Sequence, residues 1–130
     1  MLDFVTAPTP MGVIGGIESG LPLSTLDQVT DQIAPDDSKF RFLIIPKATW
    51  TRRQRGQHLS PAESEIVARL ALVWERTMEI YQDETAARRF LHTPHQLLDG
   101  RTPVDVARCT GAGARLVEDI LGRLEHGSAL

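Results

Sequence analysis

The chain has 130 residues, 42% of them hydrophobic and 5% aromatic, and 14 basic against 17 acidic side chains leave a formal net charge of −3. That length can bury an apolar core and that composition belongs to a folded chain rather than a disordered one. The longest run without a charged side chain, Phe4 to Ile17, has 14 residues and contains Pro8 and Pro10, too short for a membrane span, while the single cysteine, Cys109, excludes an internal disulfide and a multi-cysteine zinc site and fits a reducing cytoplasm.

Residues 1–20 mix Pro8, Pro10, Gly12, Gly15, Gly16 and Gly20 with small side chains, show no sustained period and read as a flexible arm with no regular element. Their glycines do not make a phosphate-binding loop, because no Gly-Lys-Ser/Thr follows and no strand precedes them. No basic residue comes before Lys39, so a secretory leader is not expected. From Leu23 to Ile33 the helical spacing of Leu26, Val29 and Ile33 predicts a short helix, with Ser24 as its cap and Pro35 beyond its end. Asp36, Asp37 and Ser38 offer caps for a second short element, Lys39 to Ile45. Phe40, Phe42, Leu43, Ile44 and Ile45 suit a strand by propensity, but no other strand is available to pair with it, which favours a helix.

Charge is concentrated here. Residues 1–38 hold six acids and no base, residues 39–58 hold six bases and no acid, and residues 59–130 hold eight arginines against 11 acids. A cationic block of this kind attracts phosphates or acidic partners, the alternative being a charged helix that cancels the acidic block before it. Within the block, Pro46 suits a first helical position and a short helix continues through Gln54, with Gly56 as its stop. Coming after two short elements, it has the order of a helix-turn-helix, whose second helix meets base edges while flanking cations hold phosphates. Lys47, Thr49, Arg52, Arg53 and Arg55 are therefore the candidate DNA contacts, and Trp50 is assigned to packing.

Ser60-Pro61-Ala62-Glu63 combines an N-cap hydroxyl, a first-turn proline and a capping-box glutamate. The helix it opens should reach Tyr81, with Ile66, Val67, Leu70, Val73, Trp74, Thr77, Met78, Ile80 and Tyr81 on one arc and Glu65, Arg69, Arg76 and Glu79 opposite. Leu72 falls in the charged arc, which makes it a candidate partner contact. Asp83 caps a helix through Leu91, Pro94 ends it, and Thr102-Pro103 starts another. Gly111 and Gly113 open the last helix, in which Leu116, Val117, Ile120, Leu121 and Leu124 form the expected buried stripe before Gly127. His92 and His95 lack a third metal ligand, Cys109 reads as a small buried hydrophobe, and no nucleophile, zinc or paired-carboxylate motif appears. The reading is all-α, with no catalytic site, metal or cofactor.

The segment Pro-Lys-Ala-Thr-Trp-Thr-Arg-Arg-Gln-Arg-Gly-Gln-His-Leu-Ser-Pro-Ala-Glu-Ser from Pro46 resembles the Xre/MbcA/ParS antitoxin family, whose members carry Pro-Arg/Lys-x-Thr-Leu-x-Arg-Arg followed by Leu-Ser/Thr-Pro-Glu-Glu-Ser. Arg69-Leu-Ala-Leu-Val73, Ala87-Arg-Arg-Phe-Leu91, Pro94, Leu97-Leu-Asp-Gly100, Pro103, Val117-Glu118 and Leu121 to Gly127 follow in the order of the family's toxin-binding domain, with His95 where the family usually has Asn. The resemblance implies a cytoplasmic bacterial type II antitoxin. It would bind and silence a toxin, most often a RES-domain enzyme that consumes NAD, and repress its own operon as a dimer on operator DNA. With the arm already read at 1–20, the resemblance divides the rest into a degenerate helix-turn-helix region at 21–58 and a helical toxin-binding domain at 59–130. The alternatives are a stand-alone transcription regulator and a toxin-binding adaptor that no longer binds DNA. Silencing an enzyme that handles an anionic dinucleotide calls for surface able to cover a phosphate-binding cleft. Arg123, Glu125, His126 and Leu130 at the C-terminal end, with Leu72 further out, are the expected toxin contacts.

Overall fold

The computed structural model describes residues 9–127, and every regular element among them is a helix. The chain divides into two compact units, Met1–Ala71 and Leu72–Leu130.

In the first unit, Pro10–Ser19 forms helix α1 within the segment that the sequence assigns no regular element. Thr9 Oγ1 accepts the Gly12 N–H at 3.1 Å and Pro10 occupies the first turn. This is the same hydroxyl-plus-proline start as Ser60-Pro61 and Thr102-Pro103, masked by glycines that blur the apolar period. The remainder of the expected arm, residues 1–8, lies outside the described residues. Gly20 ends α1 at φ +88°, and a Cβ there would sit 2.4 Å from the Leu59 carbonyl oxygen, so only glycine fits.

Helix α2, Leu23–Ile33, buries Leu23, Leu26, Val29 and Ile33. Pro22 rather than Ser24 stands at its N-cap, with no side-chain cap. The ambiguous apolar run resolves as helix α3, Arg41–Ile44, and Ile45 is extended at φ −133° and ψ 140°, as the ring of Pro46 demands. Helix α4, Lys47–Gly56, includes the glycine expected to stop it; the stop is Gln57, left-handed at φ 62°. An isolated antiparallel bridge pairs Pro22 with His58. It is closed by Leu23 N–H to Gln57 O and Leu59 N–H to Leu21 O, both 2.8 Å.

Helix α5, Pro61–Tyr81, has the predicted bounds, with Glu65 and Glu79 outward as expected, while Arg69 and Arg76 are half-buried and so are Ile66, Met78, Ile80 and Tyr81. Val67, Leu70, Val73, Trp74 and Thr77 are buried, and Leu72 is 43% exposed. The two units part inside this helix, after Ala71, and not at 58/59. The reason is that the first half of α5 completes the N-terminal unit: buried Ser64 accepts the Leu21 N–H at 2.8 Å, and Val67, Ala68, Leu70 and Ala71 are all buried.

In the second unit, Asp83 caps α6, Glu84–His92, by accepting the Ala86 N–H. A 3₁₀ turn at Gln96–Leu98 leads to α7, Pro103–Cys109, capped by Thr102, and to α8, Gly111–Glu125, capped by Thr110. Helix α7 packs on α6 and α8. The α7–α8 crossing is tight at Gly113, where a Cβ would fall 2.2 Å from the Val106 carbonyl oxygen. The buried stripe of α8 is Ala114, Val117, Ile120 and Leu121. Leu116, expected inside, is 43% exposed. Cys109 is also exposed, because it ends α7 instead of facing its core side; its thiol lies 3.5 Å from Arg101 Nη2.

Candidate functional site

Helix α4 carries one lysine, three arginines and no acid. Ala48, Thr51, Arg52 and Arg55, at i, i+3, i+4 and i+7, line a single shallow groove on its exposed face. Lys47, at the first turn, is exposed beside them. Thr49 and Trp50 are half-buried on the other side, and the Trp50 ring meets Phe42 edge-on at 5.8 Å. Arg41 lies 5.5 Å over the same ring and pairs with Asp27 at 3.1 Å, so α3, itself tied to α2, holds the back of α4.

Arg53 behaves differently from its neighbours. Its Nε and Nη2 donate to the two oxygens of Glu63 at 2.9 and 3.3 Å. Glu63 also closes the predicted capping box, accepting the Ser60 N–H at 2.8 Å while Ser60 Oγ accepts the Glu63 N–H at 3.1 Å. Partial burial pushes the Glu63 carboxyl up, but the hydrogen bonds from Arg53 and Ser60 together outweigh it and hold it below the usual carboxylate range. Of the five expected DNA contacts, Lys47, Arg52 and Arg55 therefore share the solvent-facing surface. Thr49 is partly withdrawn, and Arg53 acts as a strut fixing α4 to the start of α5. Thr51 was passed over in the sequence; its i+4 spacing from Lys47 was the available signal.

At the other end of the chain, Arg76 donates to Glu125 through Nη1 and Nη2 at 3.0 and 2.7 Å, and also to Glu79 at 3.0 Å. Hydrogen bonding from Arg76 holds Glu125 below the usual carboxylate range. Glu125, expected to be available, thus ties α8 to α5. Arg123 and His126 are exposed and line a groove with Arg76, Glu118, Asp119 and Gly122. Leu72 is exposed on α5, and Leu130 lies outside the described residues. His95 is a cap, its Nδ1 accepting the Leu97 N–H at 3.1 Å. Among the described residues no three metal-ligating side chains are gathered, and no helix is long and apolar enough to cross a membrane.

A second surface of the C-terminal unit escaped the sequence reading. Tyr81, Ala86, Arg89, Phe90, Pro94 and His95 line a cleft beside the end of α6. The available signal was the pair Arg88-Arg89, of which only Arg88 stands four residues after a glutamate.

Two family models match the chain in tandem. Residues 12–72 match the antitoxin Xre-like helix-turn-helix domain, and residues 76–127 match the antitoxin Xre/MbcA/ParS C-terminal toxin-binding domain. A relative named Antitoxin Xre, from Yersinia enterocolitica serotype O:8 / biotype 1B, is 30% identical over 118 residues, covering 88% of this chain and 79% of the relative. The junction between the two matched regions falls inside α5, as does the division between the two compact units.

Proposed function

The chain belongs to the Xre/MbcA/ParS antitoxin family, which is not a family of enzymes, and on that basis we propose that it neutralises a RES-type, NAD-consuming toxin in the bacterial cytoplasm and represses its own operon as a homodimer. In this reading the 76–127 domain holds the toxin and α4 enters the major groove of the operator. The observation that carries the DNA half is the outward face of α4, where Lys47, Arg52 and Arg55 stand around Thr51 with no carboxylate on the helix. Arginine reads guanine edges bidentately and all three cations neutralise phosphates. Thr49, half-buried, contributes at most to the edge of this surface, and Arg53 serves it by holding the helix in place. On the toxin side, the exposed Arg123 and His126 with the terminal Leu130, and Leu72 further out, supply contacts that cover the enzyme's phosphate-binding cleft.

Co-expression with the product of the adjacent reading frame tests the first half. The chain should restore growth and co-purify with that product; continued toxicity with no complex would overturn the antitoxin reading. Titration of the promoter upstream of its own gene tests the second. With three cations per protomer and two protomers, log affinity should fall against log salt with a slope of about −5.

A further inference from the structure

We propose that the cleft at the C-terminal end of α6 is a seat for the toxin, and that it takes a carboxylate-bearing side chain flanked by an apolar one. The inference rests on the reading that this chain binds a toxin, and it concerns a part of the toxin-binding domain separate from the α8 end discussed above.

The walls are aromatic. The Tyr81 and Phe90 rings lie 5.7 Å apart with a 36° tilt, and Phe90 meets His95 at 6.3 Å and 70°. Because His95 Nδ1 accepts the Leu97 N–H, the neutral ring carries its proton on Nε2 and offers a donor there. Arg89 is exposed at the rim and has no ion-pair partner among the described residues. Its neighbour Arg88 pairs with Glu84 at 3.5 Å and lies 5.5 Å over the Trp74 ring. Among the described residues no carboxylate lines the cleft.

An uncompensated guanidinium beside a ring N–H and two aromatic faces is complementary to a carboxylate with an apolar neighbour, and it repels a cationic segment. The cleft measures about 280 Å³, which is at the lower limit of small-molecule pockets, about 300 Å³, and suits one or two inserted side chains. Tyrosine and arginine are the side chains that dominate binding energy at protein interfaces. All of the cleft residues fall within the matched toxin-binding domain, residues 76–127.

The test uses the full chain and a catalytically inactive form of the toxin encoded beside its gene, titrated by calorimetry. Arg89→Glu should weaken binding at least about thirtyfold, Arg89→Lys should retain most of it, and Phe90→Ala should cost about tenfold. Arg115→Glu makes the same charge change at another exposed arginine of this unit and should leave affinity unchanged. Arg89 is solvent-facing, so Arg89→Glu should keep the helical signal and promoter binding of the wild type even if Phe90→Ala misfolds. Arg89→Glu binding the toxin as tightly as Arg115→Glu would overturn the proposal. So would an Arg89→Glu variant that loses the promoter and keeps the toxin, since the cleft would then serve nucleic acid. Wild-type protein that shifts its promoter but gives no heat with the toxin would remove the antitoxin reading itself, and the seat with it.

Discussion

In both units of this molecule arginines divide between those tied to carboxylates and those that are not, and the two kinds do different work. In the cationic block of the N-terminal unit, Lys39, Lys47, Arg52 and Arg55 have no ion-pair partner among the described residues, and only Arg41 and Arg53 are tied to carboxylates. In the C-terminal unit Arg76, Arg88, Arg101 and Arg108 are all paired, leaving Arg89, Arg115 and Arg123. The lesson is that charge density marks a binding surface only after internal compensation is subtracted. A paired arginine mostly positions helices, whereas an unpaired one can serve a partner where the surface around it is complementary, as at the α4 face and the α6 cleft, and is otherwise only solvated, as at Arg115.

The strongest way to break this contrast is to disrupt the scaffold of one unit while leaving the other unit's cations untouched. Gly113→Val places a side chain against the Val106 carbonyl at the α7–α8 crossing. It should cost about 3 kcal/mol of stability, read by denaturant titration, and abolish toxin binding. An unchanged midpoint would show that the crossing can open freely.

A smaller effect comes from the Arg53–Glu63 strut. The Glu63 carboxyl is held low in the folded chain, so its contribution to stability is present above the unfolded glutamate pKa of about 4.3 and disappears as pH falls through the lower folded value. Glu63→Gln should lower Tm at neutral pH and flatten the loss of stability seen in acid. Identical acid melting curves for wild type and Glu63→Gln would remove the strut from the account. The smallest expected change is Glu125→Gln, which breaks an exposed tether between α5 and α8. It should lower Tm slightly, far less than Gly113→Val, and leave promoter binding as it was.

The helical architecture was legible wherever a hydroxyl cap met a proline and an apolar stripe followed, as at Ser60-Pro61 and Thr102-Pro103. The same start at Thr9-Pro10 was hidden because Gly12, Gly15 and Gly16 break the apolar period of α1. Leu116 stands about 100° from Val117, at the edge of the α8 stripe, where apolar character alone does not decide burial. For the sites, composition located the cationic helix, and the structure separates Arg52 and Arg55 on its exposed face from the half-buried Thr49 and Arg53. Spacing could not show that Arg53 meets Glu63 or that Arg76 meets Glu125, because those partners are set by tertiary packing across 10 and 49 residues. The α6 cleft needed three separate segments, Tyr81, Phe90 and Pro94-His95, to come together.

The measurement that tests the contrast most directly is the salt dependence of promoter binding for Arg52→Ala/Arg55→Ala beside Arg53→Ala. If unpaired cations carry the contacts, the double variant should flatten the log–log slope from about −5 to about −2 with an unchanged Tm. Arg53→Ala should keep a slope near the wild-type value while melting at lower temperature. A flattened slope in Arg53→Ala at undiminished Tm, with the double variant binding like wild type, would contradict the account.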